Sequence, residues 1–576
     1  MRAGAPRPRA RSAARDAIAA LRRLEAIRFE FGGAIASERR GLLVRLARTT
    51  LNGAAQVLRL HEAMLFARAH PDDPACLRVV ERALRAFERR RDVARFRASL
   101  AGSGVAGTDL PFRFFAPTAL RLARAWPGRL AIDWDEWDDP ARLEELLPLL
   151  AADAEMPGLD EWDLGLRGWL RRMTGGRIAD GAFVARRLAT RIADPFVFEK
   201  AFDGIDAPFV LCGGRGGPSR TLARWPGAPV AFQRGALRRA RPDLRAELAR
   251  PPLAVTPVSR RDGEQLVALA RDAMVTRRRD LDVFAYASAD DVRLVECGEG
   301  LQFACLGAIP DRRLLLESVY GFLTLRNGVP TGYVLTSALF GSAEIAYNVF
   351  ETFRGGEAGA VYGRVLAMTA HLFGTDSFVV TPYQLGGAGN DEGLESGAWW
   401  FYRKFGFAPR ARAARALMRR EEARMRRNPA HRSSRATLAR LAEENVYWHA
   451  GRARSDVLGL LPLPNVGLAA MDLLAKRFGA DDARGAGACE LEAVRRLGHG
   501  PERAWSRDER RAFTRWAPLV LALPGLERWP ARERRALLAV IRAKGGVRES
   551  EFVRRFDAHV RLRAAVAHLA RSTRVG

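Results

Sequence analysis

Cysteine is scarce: five residues in 576, at Cys76, Cys212, Cys297, Cys305 and Cys489. Their number is odd, their spacing wide and no C-x-x-C pair occurs. That pattern excludes a disulfide framework and a cysteine-based zinc site, and it fits a reducing cytosol. Long apolar runs are missing too. The basic start, residues 1–17, has no apolar run behind it, so it fails as a secretory signal and reads as a frayed, solvated tail. The most apolar stretch, Val457 to Ala475, is broken by Pro462, Pro464, Asn465 and Asp472, so no membrane-spanning helix is expected. Lysine is nearly absent: Lys200, Lys404, Lys476 and Lys544 stand among 94 basic residues.

That imbalance bears on the net charge of +28. A strongly basic chain reads first as a nucleic-acid binder, because phosphate neutralisation drives such binding. Arginine displacing lysine beside abundant Ala and Gly is instead the mark of a GC-rich, bacterial-type coding sequence, and net charge speaks to solubility more than to function. With 48% hydrophobic and 28% charged residues the chain can bury enough apolar surface to fold, and its length predicts about three to five domains.

From Ala13 to Arg124 the apolar spacing is helical, as in Ile18, Leu21, Leu24 and Leu58, His61, Leu65, and a helix should stop at His70 before Pro71-Asp72-Asp73-Pro74. Residues 131–165 invert the charge, with twelve acids against Arg142. They read as a face turned to the chain's own basic surface; a carboxylate metal loop lacks the required offsets and Gly turn. Strands are expected at Pro208 to Cys212 and Pro229 to Gln233. Gly213 to Gly217 reads as a plain turn rather than a phosphate cradle, since no Lys-Ser/Thr follows and Pro218 intervenes. Ten arginines between Ala411 and Arg440 meet only Glu421 and Glu422 in sequence, and the remainder reads helical, with stops at Gly479, Gly498 to Gly500 and Gly545-Gly546.

The chemical signal lies between Pro252 and Arg410. A strand (Leu253 to Ser259) and a helix through Leu266, Leu269 and Met274 lead to a hairpin, Tyr320 to Leu325 and Thr331 to Leu339, turning on Arg326-Asn327-Gly328. A long strand, Ala343 to Phe353, follows, with Ile345, Tyr347, Val349, Glu351 and Phe353 on one face. It ends in Arg354-Gly355-Gly356-Glu357-Ala358-Gly359 and a helix striped by Val361, Val365, Met368 and Leu372 and closed by Gly374. A strand, a glycine-rich turn and a helix N-terminus form a ready anion site. Then come a strand from Ser377 to Tyr383, the loop Gly386 to Asn390, and a helix through Leu394, Ala398, Phe401 and Phe405 that closes at Gly406, with Tyr402 beside its buried stripe.

This order of elements resembles the GNAT superfamily of acetyl-CoA-dependent N-acyltransferases, over a little more than a quarter of the chain. The string from Ala398 to Phe407 looks like the family's closing motif, an aromatic-Tyr pair before a Lys and a Gly-Phe. The family's cofactor loop, Arg/Gln-x-x-Gly-x-Gly/Ala, aligns as Arg354 to Gly359 with Glu357 at the first glycine, or as Phe353 to Ala358 with Phe at the Arg/Gln place. The resemblance implies acyl transfer from acetyl-CoA or another acyl-CoA to an amine, without a covalent enzyme intermediate. In it Arg354, Gly355, Gly356, Ala358 and Gly359 hold the pyrophosphate and Asn390 the cofactor arm, while Glu351 is the general base, the strand's N–H groups polarise the carbonyl and Tyr402 protonates the thiolate. The residues also admit other roles: Tyr402 as a core tyrosine, Glu351 as a solvent-facing carboxylate, Asn390 as a helix cap.

The expected fold class is α+β and multidomain. A helical region (1–125) and a mixed α/β region (126–251) precede a GNAT-like domain (252–410) whose mixed sheet carries helices on both faces, and a basic helical region (411–576) follows. The alternatives to an acyltransferase are a non-catalytic interaction protein on the same fold and a binder of nucleic acid or anionic surfaces through the Arg-rich segment. No metal site is expected.

Overall fold

Two prolines and two aspartates decide the first helix boundary. Helix Ala54–Ala69 ends with His70 as its C-cap, and Asp73 then caps helix Pro74–Arg85 by accepting from the Cys76 N–H at 2.7 Å, with Pro74 in the first turn. The computed structural model describes residues 8–227, 229–479 and 482–572, so residues 1–7 of the basic start lie outside it. The chain forms two compact units, each discontinuous in sequence. One comprises residues 1–237, 265–286 and 325–331; the other comprises 238–264, 287–324 and 332–576.

The first unit is mainly helical and also holds a three-stranded antiparallel sheet, Leu110–Phe112, Phe209–Leu211 and Leu130–Ile132 in spatial order. The strand at Leu110 falls in a stretch whose periodicity reads as helical; three residues are too few to show an alternation. Residues 229–233, expected as a strand, form none. Among the described residues the one ion pair of the twelve acids between residues 131 and 165 is Arg142 to Glu145, within the stretch itself, at 2.6 Å. The hairpin turn reads as its sequence says. Asn327 and Gly328 have φ of 50° and 76°, the pair of positive values that a two-residue type I′ turn requires.

The second unit is built on a nine-stranded mixed sheet. Its strands are β1 (Ala254–Pro257), β2 (Ala287–Gly298), β3 (Leu301–Ala308), β4 (Ser318–Arg326), β5 (Val329–Leu339), β6 (Ser342–Val349), β7 (Ser377–Val380), β8 (Ala408–Pro409) and β9 (Val446–His449). The spatial order is β8-β9-β7-β6-β5-β4-β3-β2-β1. β6 and β7 are parallel, whereas β7 with β9 and β9 with β8 are antiparallel. Only a crossover can join parallel neighbours, and the helix Ala358–Phe373 supplies it, closed by Gly374 at φ 74° as its sequence requires. β9 comes from the region 411–576 read as helical, so the sheet extends past residue 410. The strand expected through Phe353 ends at Val349, that expected through Tyr383 ends at Val380, and Gly397, at φ 65°, splits the expected closing helix into Asp391–Ser396 and Ala398–Arg403.

The arginine-rich helix Arg412–Arg427 owes its place to Ala414, Leu417 and Met418, which are buried, and its arginines line the outer side. Further helices, from Pro464 to Ser572, complete the second unit, and Ser506 opens one of them with a capping box closed by Glu509. The sheet and these helices share a buried ionic cluster. Lys544 reaches Glu549 at 2.5 Å, Arg313 lies 3.8 Å from the same carboxylate, and the Tyr320 hydroxyl donates to Asp291 at 2.6 Å while accepting from the Ser550 N–H. A Cβ on Gly307 would overlap Asp291 Oδ2. Because Tyr320 holds that carboxylate in place, Gly307→Ala is expected to cost about 1–3 kcal/mol in denaturant unfolding.

Candidate functional site

β6 is paired along its whole length with β5, from Ser342↔Leu339 to Val349↔Gly332. On its other side it meets β7 only through Ser342, Ala343 and Glu344. Ile345 to Val349 therefore have no neighbouring strand on the β7 side, and a gap opens at the carboxyl ends of the parallel pair. That is where open sheets with parallel strands bind ligands, because helix N-termini and free backbone groups converge there.

The crossover helix begins at this gap. Its N-cap residue, Glu357, is buried, and its side chain makes no capping hydrogen bond to the first turn. Two cations gather beside them. The Arg241 side chain runs along the first turn, with Cγ 3.4 Å from where a Cβ on Gly359 would stand and the Phe405 ring at 3.5 Å. Lys404 is the second; burial lowers its pKa, and the nearby Arg241 and Arg432 charges lower it further. Neither Arg241 nor Lys404 has an ion pair among the described residues. A positive helix end with two cations nearby attracts an anion, and the Glu357 carboxylate at the N-cap opposes that attraction.

On the same side of β6, three tyrosines meet. Tyr347 donates to the Ala358 carbonyl at 3.2 Å, Tyr362 packs 5.4 Å from it, and Tyr402 stands edge-on to Tyr362 at 5.5 Å. Burial pushes all three phenols above their ordinary range, so all are protonated at neutral pH. The Tyr362 hydroxyl is buried without a partner, and that of Tyr402 makes no hydrogen bond among the described residues.

The opposite side of β6 is acidic. Strand alternation sends Glu344, Ala346 and Asn348 there. The Thr381 hydroxyl, just past the end of β7, donates to Glu344 at 3.2 Å. Burial raises the pKa of Glu344 against that hydrogen bond. Burial, then the Glu344 charge, raises that of Glu317, while Lys544 and the Ser337 hydroxyl oppose the rise. The Asn348 Oδ1 is buried and unpartnered. Glu344, the last residue of β6 paired with β7, thus offers a carboxylate of raised pKa at the mouth of the gap, with Glu317 near enough to feel its charge.

The residues singled out from sequence fall in different places. Tyr402 is at the site, 3% exposed. Gly356, Ala358 and Gly359 lead into the first turn of the crossover helix, and Gly355 makes the bend before it at φ 80°. Glu351 lies beyond the strand, exposed in the 3₁₀ turn Glu351–Phe353, because β6 stops two residues earlier. Arg354 turns away from the helix end to pair with Glu392, and its Nε donates to the Val349 carbonyl at 3.1 Å. The Asn390 amide caps the following helix: Oδ1 accepts from the Gly393 N–H at 3.1 Å and Nδ2 donates to the Tyr383 carbonyl at 2.7 Å. Both ends of that amide are thus occupied. Glu344, Glu317 and Arg241 escaped the sequence reading. A single carboxylate inside the run Ser-Ala-Glu-Ile-Ala-Tyr-Asn-Val was the available signal for Glu344; only the fold brings Arg241 to Gly359.

The second glycine-rich stretch, in the first unit, is filled by the protein itself. Arg129 donates to the Cys212 carbonyl at 2.8 Å, and a Cβ on Gly217 would stand 2.5 Å from its guanidinium. Among the described residues no group of three His, Cys, Asp or Glu gathers as metal ligands, and no helix is long and apolar enough to cross a membrane. Compared with family models, curated proteins and solved structures, the chain matches none.

Proposed function

We propose that the second unit transfers an acyl group from a coenzyme A thioester to an amine. The observation that carries this reading is the parting of β6 from β7 in front of the N-terminus of the crossover helix. It leaves a slot with backbone donors along one edge and positive charge at one end. The residues present fit an acyl-CoA: the amides of the first helical turn, with Arg241 and Lys404, would hold its diphosphate, and Ile345 to Val349 would offer strand-like hydrogen bonds to its arm. Bound there, the donor supplies an activated acyl carbon with a thiol leaving group.

This chain's residues do the rest. Amines are protonated at neutral pH and must lose a proton before they attack. Glu344, whose raised pKa suits a general base, takes it, and Glu317 adds to the attraction for a cationic acceptor. A backbone N–H of β6 on the open side stabilises the charge that develops on the carbonyl oxygen as the new C–N bond forms and the C–S bond breaks. Tyr402 serves the departing sulfur. Its pKa lies above the ordinary 10, whereas a thiol ionises near about 8.5, so the phenol is suited to hydrogen-bond to the thiolate rather than give up its proton outright.

An acidic side chain in the first helical turn separates the anion site from the fold. Ala360→Asp favours the helix dipole, so thermal stability should be kept or raised, yet its charge opposes a diphosphate. Calorimetric titration of acetyl-CoA into wild type and variant is expected to show binding weakened about tenfold or more, on the scale of one lost charge-assisted contact. Equal affinity would remove the helix end from the site.

A further inference from the structure

Composition explains why the chain has many arginines; it does not explain why five of them surround one concavity. A cleft of about 860 Å³ lies between the loop after β9 and the helix Val560–Ser572, and it is lined by Arg410, Arg452, Arg454, Arg563 and Arg571, with Asp456 and Asp557. All of it belongs to the second unit. It is not the slot proposed for the thioester. His449, which accepts from Arg410 at 3.1 Å, stands opposite Ser377, the first residue of β7, whereas the slot opens beyond the last.

The charges in the cleft are unequally satisfied. Asp456 is shared by Arg454 at 2.9 Å and Arg563 at 2.8 Å, and although burial opposes it, those guanidiniums hold its carboxyl below the usual range. Arg454 also pairs with Asp376 at 3.0 Å. Arg410 spends its bonds on the His449 ring and the Arg454 carbonyl. Burial lifts Asp557 to about 6; Oδ2 accepts from the Gly341 N–H at 2.8 Å, and Oδ1 is buried without a partner. Arg452 and Arg571 are exposed and have no carboxylate among the described residues. Even with Asp376, Asp456 and Asp557 all ionised, five guanidiniums leave two positive charges uncompensated in a concave site. Asp456 fixes Arg454 and Arg563, which lowers the entropic cost of recruiting them to an anion.

We infer that this cleft binds a small oligophosphate, taken by guanidinium–phosphate pairs from Arg452 and Arg571 onto the prearranged Arg454 and Arg563. Its volume suits a small molecule. The lining contains no aromatic ring on which a base could stack, so the recognised part is the phosphate chain rather than a nucleobase or a single strand of nucleic acid.

The test uses the full chain with inorganic tripolyphosphate as probe, in titration calorimetry at low salt. Wild type is expected to bind it with an affinity that falls as salt rises. The exposed pair Arg452→Ala/Arg571→Ala, which breaks no hydrogen bond or ion pair among the described residues, should weaken binding about tenfold or more with an unchanged melting temperature. Arg241→Ala, at the other anion site, should keep the binding component that the double variant loses, which separates failure of this inference from failure of the acyltransferase reading. Unchanged affinity in the double variant would overturn the inference, as would no binding to wild type, or tight binding of an oligonucleotide where tripolyphosphate does not bind.

Discussion

Glu549→Ala is expected to destabilise the second unit by about 3–5 kcal/mol, because it strands a fully buried ammonium. Lys544 is 4% exposed, and its remaining partners are the carbonyls of Leu316 at 3.3 Å and Glu317 at 2.9 Å. Neither can neutralise a charge. Burial already lowers the Lys544 pKa despite the Glu549 carboxylate, so removal of that carboxylate leaves desolvation unopposed by its main counter-charge. The paired replacement Lys544→Met/Glu549→Leu should recover most of the loss, since exchanging a whole buried pair for apolar volume is often near neutral. Arg313 tolerates the exchange, because it still donates to the carbonyls of Ala308, Lys544, Gly546 and Val547. Denaturant titrations that follow the tryptophans of this unit separate the two outcomes: a double variant as unstable as the single one would show that the cluster acts through something other than this pair.

The second large effect is chemical. Glu344→Gln keeps the shape of the side chain and its hydrogen bond with the Thr381 hydroxyl, but it removes the proposed base. Turnover of acetyl-CoA, followed by released thiol with whichever amine of a test panel wild type acylates fastest, should fall about 10²–10⁴-fold. The pH dependence carries the sign. A base works deprotonated, so kcat/KM for wild type should fall as pH drops through the Glu344 pKa, and burial places that fall above the ordinary carboxyl value near 4.5. In the variant the acidic limb should vanish while the melting temperature stays near wild type. An acidic limb that persists in Glu344→Gln would assign the base to Glu317 or another group.

What the sequence showed, and what it hid, follows from how local each signal is. Asn327-Gly328 and Gly374 are read correctly because a positive φ is a property of one or two residues, whatever surrounds them. The glycine-rich turn leading into the crossover helix is legible for the same reason. β9 was hidden: four residues, Val446 to His449, cannot show an alternation, and they are strand because β7 and β8 pair with them on both sides. The early ends of β6 and β7 were hidden likewise: β6 ends where its pairing with β5 ends, at Val349 opposite Gly332, and β7 gives way to the short helix Pro382–Leu385. The end of β6 decides where Glu351 stands. Glu351 looked like the last inward residue of a strand that stops at Val349, while Glu344, on the other side of the same strand, is the carboxylate that reaches Thr381. The role of Arg241 depends on a contact made only when the chain folds back onto Gly359.

Amide hydrogen exchange with and without acetyl-CoA tests the central claim most directly, because it reports where the donor sits whatever the acceptor is. The account predicts slowed exchange in two segments, the unpaired edge of β6 at residues 345–349 and the first turn of the crossover helix at 358–361, with residues 452–456 and 560–571 unaffected. Saturating acetyl-CoA that leaves both segments at their free rates, or that protects the arginine cleft instead, would contradict it.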